Sequence, residues 1–276
     1  MAKACVFCGA SPTTGEHVIP SWIRRYFPNH DAMPWNAEMV KADGSVTRFT
    51  LPAFSQEVNA VCASCNNGWM NDIEKAVQPF LGPMLGSATL TRLHPSRQSA
   101  LASWAVKTAF MLQQIHPRDP VIPPSEYARF YAARQPPEGY VVWIGHRAVT
   151  LDQDVGLEAF VQSRQAPITR VNVRGQERLA SIKDEIAKGR TMFRSVFAIG
   201  RVSFAVFGHN FRDGAFEIGV VQNGNRVDPT RWIWPIQGRS WWPPSDSIKK
   251  IGGFDGWYRA FDGPPDLRDP GSIVEG

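Results

Sequence analysis

Four cysteines constrain this chain more than any other feature. They form two C-x-x-C pairs, Cys5-Val6-Phe7-Cys8 and Cys62-Ala63-Ser64-Cys65, and no other cysteine occurs in the 276 residues. The opening Met-Ala-Lys-Ala-Cys lacks the apolar core of an export signal. Paired C-x-x-C in a cytoplasmic chain reads as a metal site sooner than as two disulfides. Four thiolates suit a tetrahedral zinc with no open position, so such an ion is structural and its binding contributes to folding. The expected zinc ligands are Cys5, Cys8, Cys62 and Cys65.

Any chemistry must then come from residues the cysteines hold in place. Glu16-His17-Val18-Ile19-Pro20 lies between the knuckles, and Asn66-Asn67-Gly68-Trp69 follows the last cysteine directly. Glu16-His17 has the β-branched surroundings of a short strand, which puts adjacent side chains on opposite faces. The two serve one centre only if that strand is bulged. A carboxylate and an amide oxygen are hard ligands suited to Mg2+ or Mn2+. A neutral imidazole beside them can take a proton from water. Asn66 can also serve as a helix cap.

The order Cys-x-x-Cys, Glu-His-x-x-Pro, Cys-x-x-Cys-Asn resembles the HNH, or His-Me finger, endonucleases with a ββα-metal core. It is especially similar to the branch with a four-cysteine zinc and an asparagine after the last cysteine. The strings Glu-His-Val-Ile-Pro-Ser-Trp and Cys-Asn-Asn-Gly-Trp-Met, with Trp104-Ala105-Val106-Lys107-Thr108-Ala109 after them, also resemble a group of bacterial HNH-type proteins. The resemblance implies a metal-dependent endonuclease acting on DNA. His17 is its general base, Glu16 and Asn66 hold the catalytic Mg2+ or Mn2+, and the cysteines hold zinc. Its specific motifs cover about the first 80 residues. Two positions differ from the family pattern. Glu16 stands where aspartate is usual. Glu57 stands where the middle asparagine is usual, with Asn59 two residues later.

The rest of the chain reads as α+β. After the second knuckle a helix begins near Gly68 and is expected to stop at Pro79 and Gly82-Pro83, with a linker over 84–97. Ser96 is the expected cap of a helix over 97–115, whose apolar stripe Lys107 interrupts. A shorter helix is expected at 125–134, capped by Ser125. From Gly139 the period shifts towards two. Strands are expected at 139–145, 159–163, 168–173, 192–199, 202–208, 216–222 and 231–236, with one helix over 176–188. Short Gly/Asn turns between neighbours imply a mostly antiparallel sheet. In the N-terminal part a hairpin is expected from Glu38–Val40 against Val46–Thr50. The resulting organisation is a zinc-stabilised ββα-metal finger over 1–95 and an α+β domain over 96–276.

The formal net charge of +5 permits a polyanionic partner without requiring one. The excess is local: residues 164–201 hold nine basic and three acidic side chains. Arg164, Arg170, Arg174, Arg190 and Arg194 are the candidate phosphate contacts. Trp232/Trp234 and Trp241/Trp242 could stack bases, although alternating tryptophans in a strand more often pack. No stretch is long and apolar enough to span a bilayer. The alternative to a nuclease is a zinc module that binds nucleic acid or a protein without catalysis.

Overall fold

The computed structural model describes residues 3–244 apart from 12, 28–33, 42–43, 88, 118–120, 148–160, 168–171, 174–183, 185–186, 189, 212–216, 220–229 and 237. For 161–167, 172–173, 217–219, 230 and 266–268 it describes the backbone alone. In chain order, β1 (Thr13–His17) is followed by a 3-10 turn, Ser21–Tyr26, and by the hairpin β2 (Pro34–Val40) and β3 (Val46–Pro52). Next come β4 (Glu57–Cys62), the single turn α1 (Ala63–Cys65), a π-helical turn at Asn66–Met70, and α2 (Asn71–Ser87). A short strand, β5 (Thr91–Leu93), leads into α3 (Pro95–Gln113), and α4 (Pro124–Ala133) follows. The remainder is β-rich: β6 (Val141–His146), β7 (Val161–Pro167), β8 (Asn172–Val173), β9 (Met192–Ile199), β10 (Val202–His209), β11 (Glu217–Gly219), β12 (Thr230–Trp234), β13 (Ser240–Trp242) and β14 (Asp266–Arg268).

The architecture is α+β, with the cysteines clustered near the N-terminus. The main sheet has seven strands in the order β12-β6-β10-β9-β7-β2-β3. Every pairing in it is antiparallel except that of β2 with β7, which runs parallel. The hairpin 34–52 therefore extends a sheet whose other strands all come from beyond residue 140, and it crosses the expected boundary at 95/96. On β3 exposed and half-buried positions alternate, as suits an outer edge.

Helix α3 is the pivot of the core. Leu101 to Gln113 are all buried, polar members included. The expected apolar stripe is thus a helix enclosed on all sides. It touches α2 on one hand and β9, β10 and β12 on the other. Trp104 makes the link in side chains, its ring centroid 5.3 Å from Phe204 and 6.2 Å from Phe197.

Several boundaries differ from the sequence reading. Helix α2 does not stop at Pro79 or Pro83 but runs to Ser87. The prolines forfeit two amide donors, but tight packing supports the turn: a Cβ on Gly82 would lie 2.1 Å from the Tyr26 ring. The expected linker over 84–97 is instead the end of α2, strand β5 and the start of α3. Helix α3 has His94 at its N-cap and Pro95 in its first turn, so Ser96 is not the cap. Likewise Pro123, not Ser125, precedes α4. The expected helix over 176–188 falls almost wholly outside the described residues. Met192–Ile199 forms as expected and turns into β10 at Gly200. Gly200 has φ +52°, and a Cβ there would also meet the Leu85 carbonyl at 2.6 Å. The Arg201 amide donates to that same carbonyl at 3.0 Å, tying the hairpin to the end of α2. Among the described residues no helix is long and apolar enough to cross a membrane.

Candidate metal centre and the histidine face beside it

The first knuckle forms because Gly9 adopts φ +75°, which lets the Gly9 amide donate to the Cys5 carbonyl at 2.9 Å. The Cys5 amide donates to Ala10 (2.8 Å) and the Val6 amide to Ala60 on β4 (2.9 Å). The first knuckle is thereby laid against the strand that delivers the second. Strand β4 ends at Cys62, and α1 begins at once, bringing Cys65 back towards it. Phe7, between the first two cysteines, is buried edge-on to Trp69 at 4.9 Å.

The sulfurs of Cys5, Cys8, Cys62 and Cys65 all lie within 4.8 Å of one another. Cys8 Sγ and Cys62 Sγ are 3.5 Å apart, and all four cysteines are free of disulfides. An ion bound at 2.3 Å by four thiolates keeps its sulfurs about 3.8 Å apart. The residues therefore fit a metal ion such as zinc. Without metal the thiols differ. The Ser64 hydroxyl, 3.1 Å from Cys62 Sγ, helps bring the Cys62 pKa down to about 6, while burial pushes Cys65 up to about 12.

Strand β1 pairs antiparallel with β4, Thr13 opposite Cys62 and His17 opposite Glu57, with a bulge between Thr14 and Gly15. The extra residue is Ala60 on β4, so the bulge in the strand of Glu16-His17 that a shared centre required is not there. The two residues alternate and face opposite ways.

Glu16 turns inward. Its side chain is 9 % exposed, and its Oε1 accepts from Lys107 Nζ at 3.2 Å. Lys107, wholly buried on α3, also donates to Glu74 Oε1 on α2 at 2.5 Å. Burial opposes the lysine charge, but the two carboxylates outweigh it and raise the Lys107 pKa above its ordinary value. Burial also raises the Glu16 pKa, and the Lys107 charge offsets only part of that. The lysine that interrupts the apolar pattern of α3 is thus the buried centre of a Glu16–Lys107–Glu74 triad whose Glu74 end is half-buried.

His17 turns outward. Its Nδ1 lies 3.4 Å from Glu57 Oε1, with the two side chains 37 % and 52 % exposed. Gly15, two residues earlier, is on the same face. A Cβ there would lie 2.6 Å from Glu57 Oε2 and 3.9 Å from Asn59 Oδ1. Gly15 thus leaves the room into which Glu57 and Asn59 project. Asn66 reaches the same strand by donating from Nδ2 to the Gly15 carbonyl at 3.2 Å. The exposed face of β1–β4 therefore gathers His17, Glu57 and Asn59, with Asn66 at Gly15, and Glu16 is on the other side. Glu57 and Asn59 had entered the sequence reading only as departures from a pattern. Their signal was the alternation in Glu57-Val58-Asn59-Ala60, where the polar residues are exposed and the apolar ones buried.

Of the five arginines of the basic run, only Arg190 and Arg194 have described side chains. Arg164 lies in β7, and Arg170 and Arg174 fall outside the described residues. Arg194 is half-buried in β9, and the charge of Arg190 acts on the buried carboxylate of Glu126. Trp232 packs on Trp143 at 5.1 Å. No family model, curated protein or solved structure matches this chain.

Proposed function

We propose that the chain is a metal-dependent endonuclease of the His-Me finger kind, hydrolysing phosphodiester bonds in DNA. The carrying observation is the outward face of β1–β4. There a half-exposed histidine has one ring nitrogen directed at a carboxylate, beside a cysteine cluster that fixes both strands. The order β1, β4, helix and the cluster of four sulfurs support reading this part as a zinc-stabilised ββα finger.

In this reading Glu57 holds the Nδ1 side of His17, so the other ring nitrogen is the one that takes a proton from water. Glu57 here is a positioning residue and His17 the catalytic base. The catalytic Mg2+ or Mn2+ would stabilise the leaving oxygen when bound. Glu16 and Asn66 do not fit it as a pair, because the Glu16 carboxylate is engaged with Lys107 on the inward side. The oxygens on the His17 side belong to Glu57 and Asn59, and the site's ligands would come from there and from Asn66.

The test is plasmid cleavage with Mg2+ or Mn2+. His17→Ala should abolish cutting. Glu57→Gln, which keeps a weaker acceptor, should lower it about 10-fold or more and move the pH profile. A wild-type chain that is inert with every metal and nucleic acid tried, or a His17→Ala chain that cuts equally well, sinks the reading. The engagement of Glu16 by Lys107 favours the second reading, a zinc module that binds nucleic acid or protein without catalysis. One zinc per chain with no cleavage would establish that one.

A further inference from the structure

Beyond the histidine face, β5 and β13 form a separate two-stranded sheet at the foot of α3. Successive residues of β13 face opposite ways. Trp242 is wholly buried, whereas Trp241 is 51 % exposed, one of the few large apolar side chains so exposed among the described residues. Trp241 lies opposite Arg92, whose guanidinium sits 5.7 Å from the indole centroid. Leu90, just before β5, is 69 % exposed.

The surroundings are basic. Desolvation, with smaller contributions from the charges of Arg92, Arg97 and Arg239, lowers the His94 pKa. The first turn of α3 carries no acidic side chain. Arg97 is anchored by donating to the Arg92 carbonyl at 3.0 Å and by the Phe80 ring 5.3 Å away. The buried Gln98 amide donates to both the Leu93 and Gly238 carbonyls, 2.8 and 2.5 Å away. That cross-link, from one segment to another 140 residues on, fixes the two strands relative to each other. The surface is built in advance.

We propose that β5, β13 and the first turn of α3 form a platform for single-stranded nucleic acid. The Trp241 indole stacks on a base, and Arg92, Arg97 and Arg239 meet the flanking phosphates. Charge complementarity selects a polyanion, and the exposed indole selects one with unpaired bases. A duplex, whose bases are already stacked, offers the indole no face. The inference deepens the nuclease reading by naming the form of nucleic acid held, but it rests on other residues. Lys107, the α3 residue that grips Glu16, is 12 positions beyond Pro95, about 18 Å along the helix.

The test uses the full zinc-loaded chain carrying His17→Ala, so that no cutting intervenes. Binding of labelled single-stranded DNA, single-stranded RNA and duplex DNA is followed by fluorescence anisotropy over a range of salt. Trp241→Ala should weaken single-strand binding about 10-fold or more, and Trp241→Phe should restore most of it. Arg92→Ala and Arg239→Ala should each reduce the salt slope by about 1. The DNA and RNA arms show which sugar is preferred, and Trp241-dependent binding of either supports the platform. Equal binding by Trp241→Ala, a preference for duplex, or no binding of any single strand overturns it. Failure here leaves the chemistry of His17 standing, and failure of plasmid cleavage leaves the platform standing.

Discussion

Two clamps hold the first 107 residues together, one suited to a metal ion and one built around a lysine. At one, four sulfurs converge within 4.8 Å of one another, a set that could hold a metal such as zinc. At the other, the carboxylates of Glu16 and Glu74 converge on Lys107, and the cation is a side chain. The β1–β4 pair is thus joined to the chain's start by a cluster that could hold a metal ion. Through Glu16 it is joined to α2 and α3 by a charged side chain that cannot leave. Chelation and thiol chemistry can act on the first clamp and leave the second untouched. His17 lies on the strand between them, so the two clamps together set where it points.

Removing the recruited ion should have the largest effect. A strong chelator or Cys65→Ala should lower Tm more than any other single change and open residues 5–70 to protease. Metal binding in such sites carries about 10 kcal/mol of apparent free energy. Metal analysis should return one zinc per chain. A chelated protein with an unchanged melting curve would remove the first clamp from the comparison.

Breaking the built-in ion comes next. Lys107→Met leaves two carboxylates facing each other with no counter-charge and should cost about 3–5 kcal/mol, read by denaturant melts. Adding Glu16→Gln and Glu74→Gln should recover a good part of it. If the triple variant is no more stable than Lys107→Met alone, the lysine acts by packing and not by charge.

The pH dependence sharpens the same contrast. The folded pKa of Lys107 lies above its ordinary 10.5. A raised pKa means that the stability it confers is fully present below 10.5 and is lost as pH climbs through the folded value. On the alkaline side, the gap between wild type and Lys107→Met should therefore narrow only above that point. A gap that closes already near neutrality would mean the lysine is not held charged.

Gly15→Ala should have the smallest effect on stability. Its new methyl meets the movable end of Glu57, so the melt should shift by about 1 kcal/mol or less. The displaced carboxylate should nonetheless leave His17 Nδ1, and cleavage should fall well out of proportion to stability. A large stability loss with activity preserved would mean that the Glu57 contact does not serve the histidine.

The sequence made one clamp legible and hid the other, for a physical reason. Cysteine spacing is local chemistry: each C-x-x-C places two sulfurs on one side of an ion whatever the rest of the chain does. The triad joins residues 16, 74 and 107, which no local period connects. In the sequence Lys107 reads only as a flaw in an apolar stretch. Glu57 was visible only as a family asparagine that was missing, because its role depends on its register opposite His17. The inner part of the hairpin, Glu38–Val40 against Val46–Thr50, and the pair β9–β10 were readable from alternation and turn residues. The passage of α2 through Pro79 and Pro83 was not, since what supports it is Tyr26, more than 50 residues earlier.

The parallel pairing of β2 with β7 has a consequence for how the chain is made. Trp35 lies opposite Val161, 126 residues later. At ribosomal rates of about 5–20 residues per second, roughly 6–25 s separate the emergence of the two strands. Throughout that interval the inner edge of the 34–52 hairpin has its amides and carbonyls exposed and no strand to receive them. The nascent chain therefore passes through a window of exposure to chaperones and to its own neighbours on the polysome, and the window closes only when β7 leaves the exit tunnel.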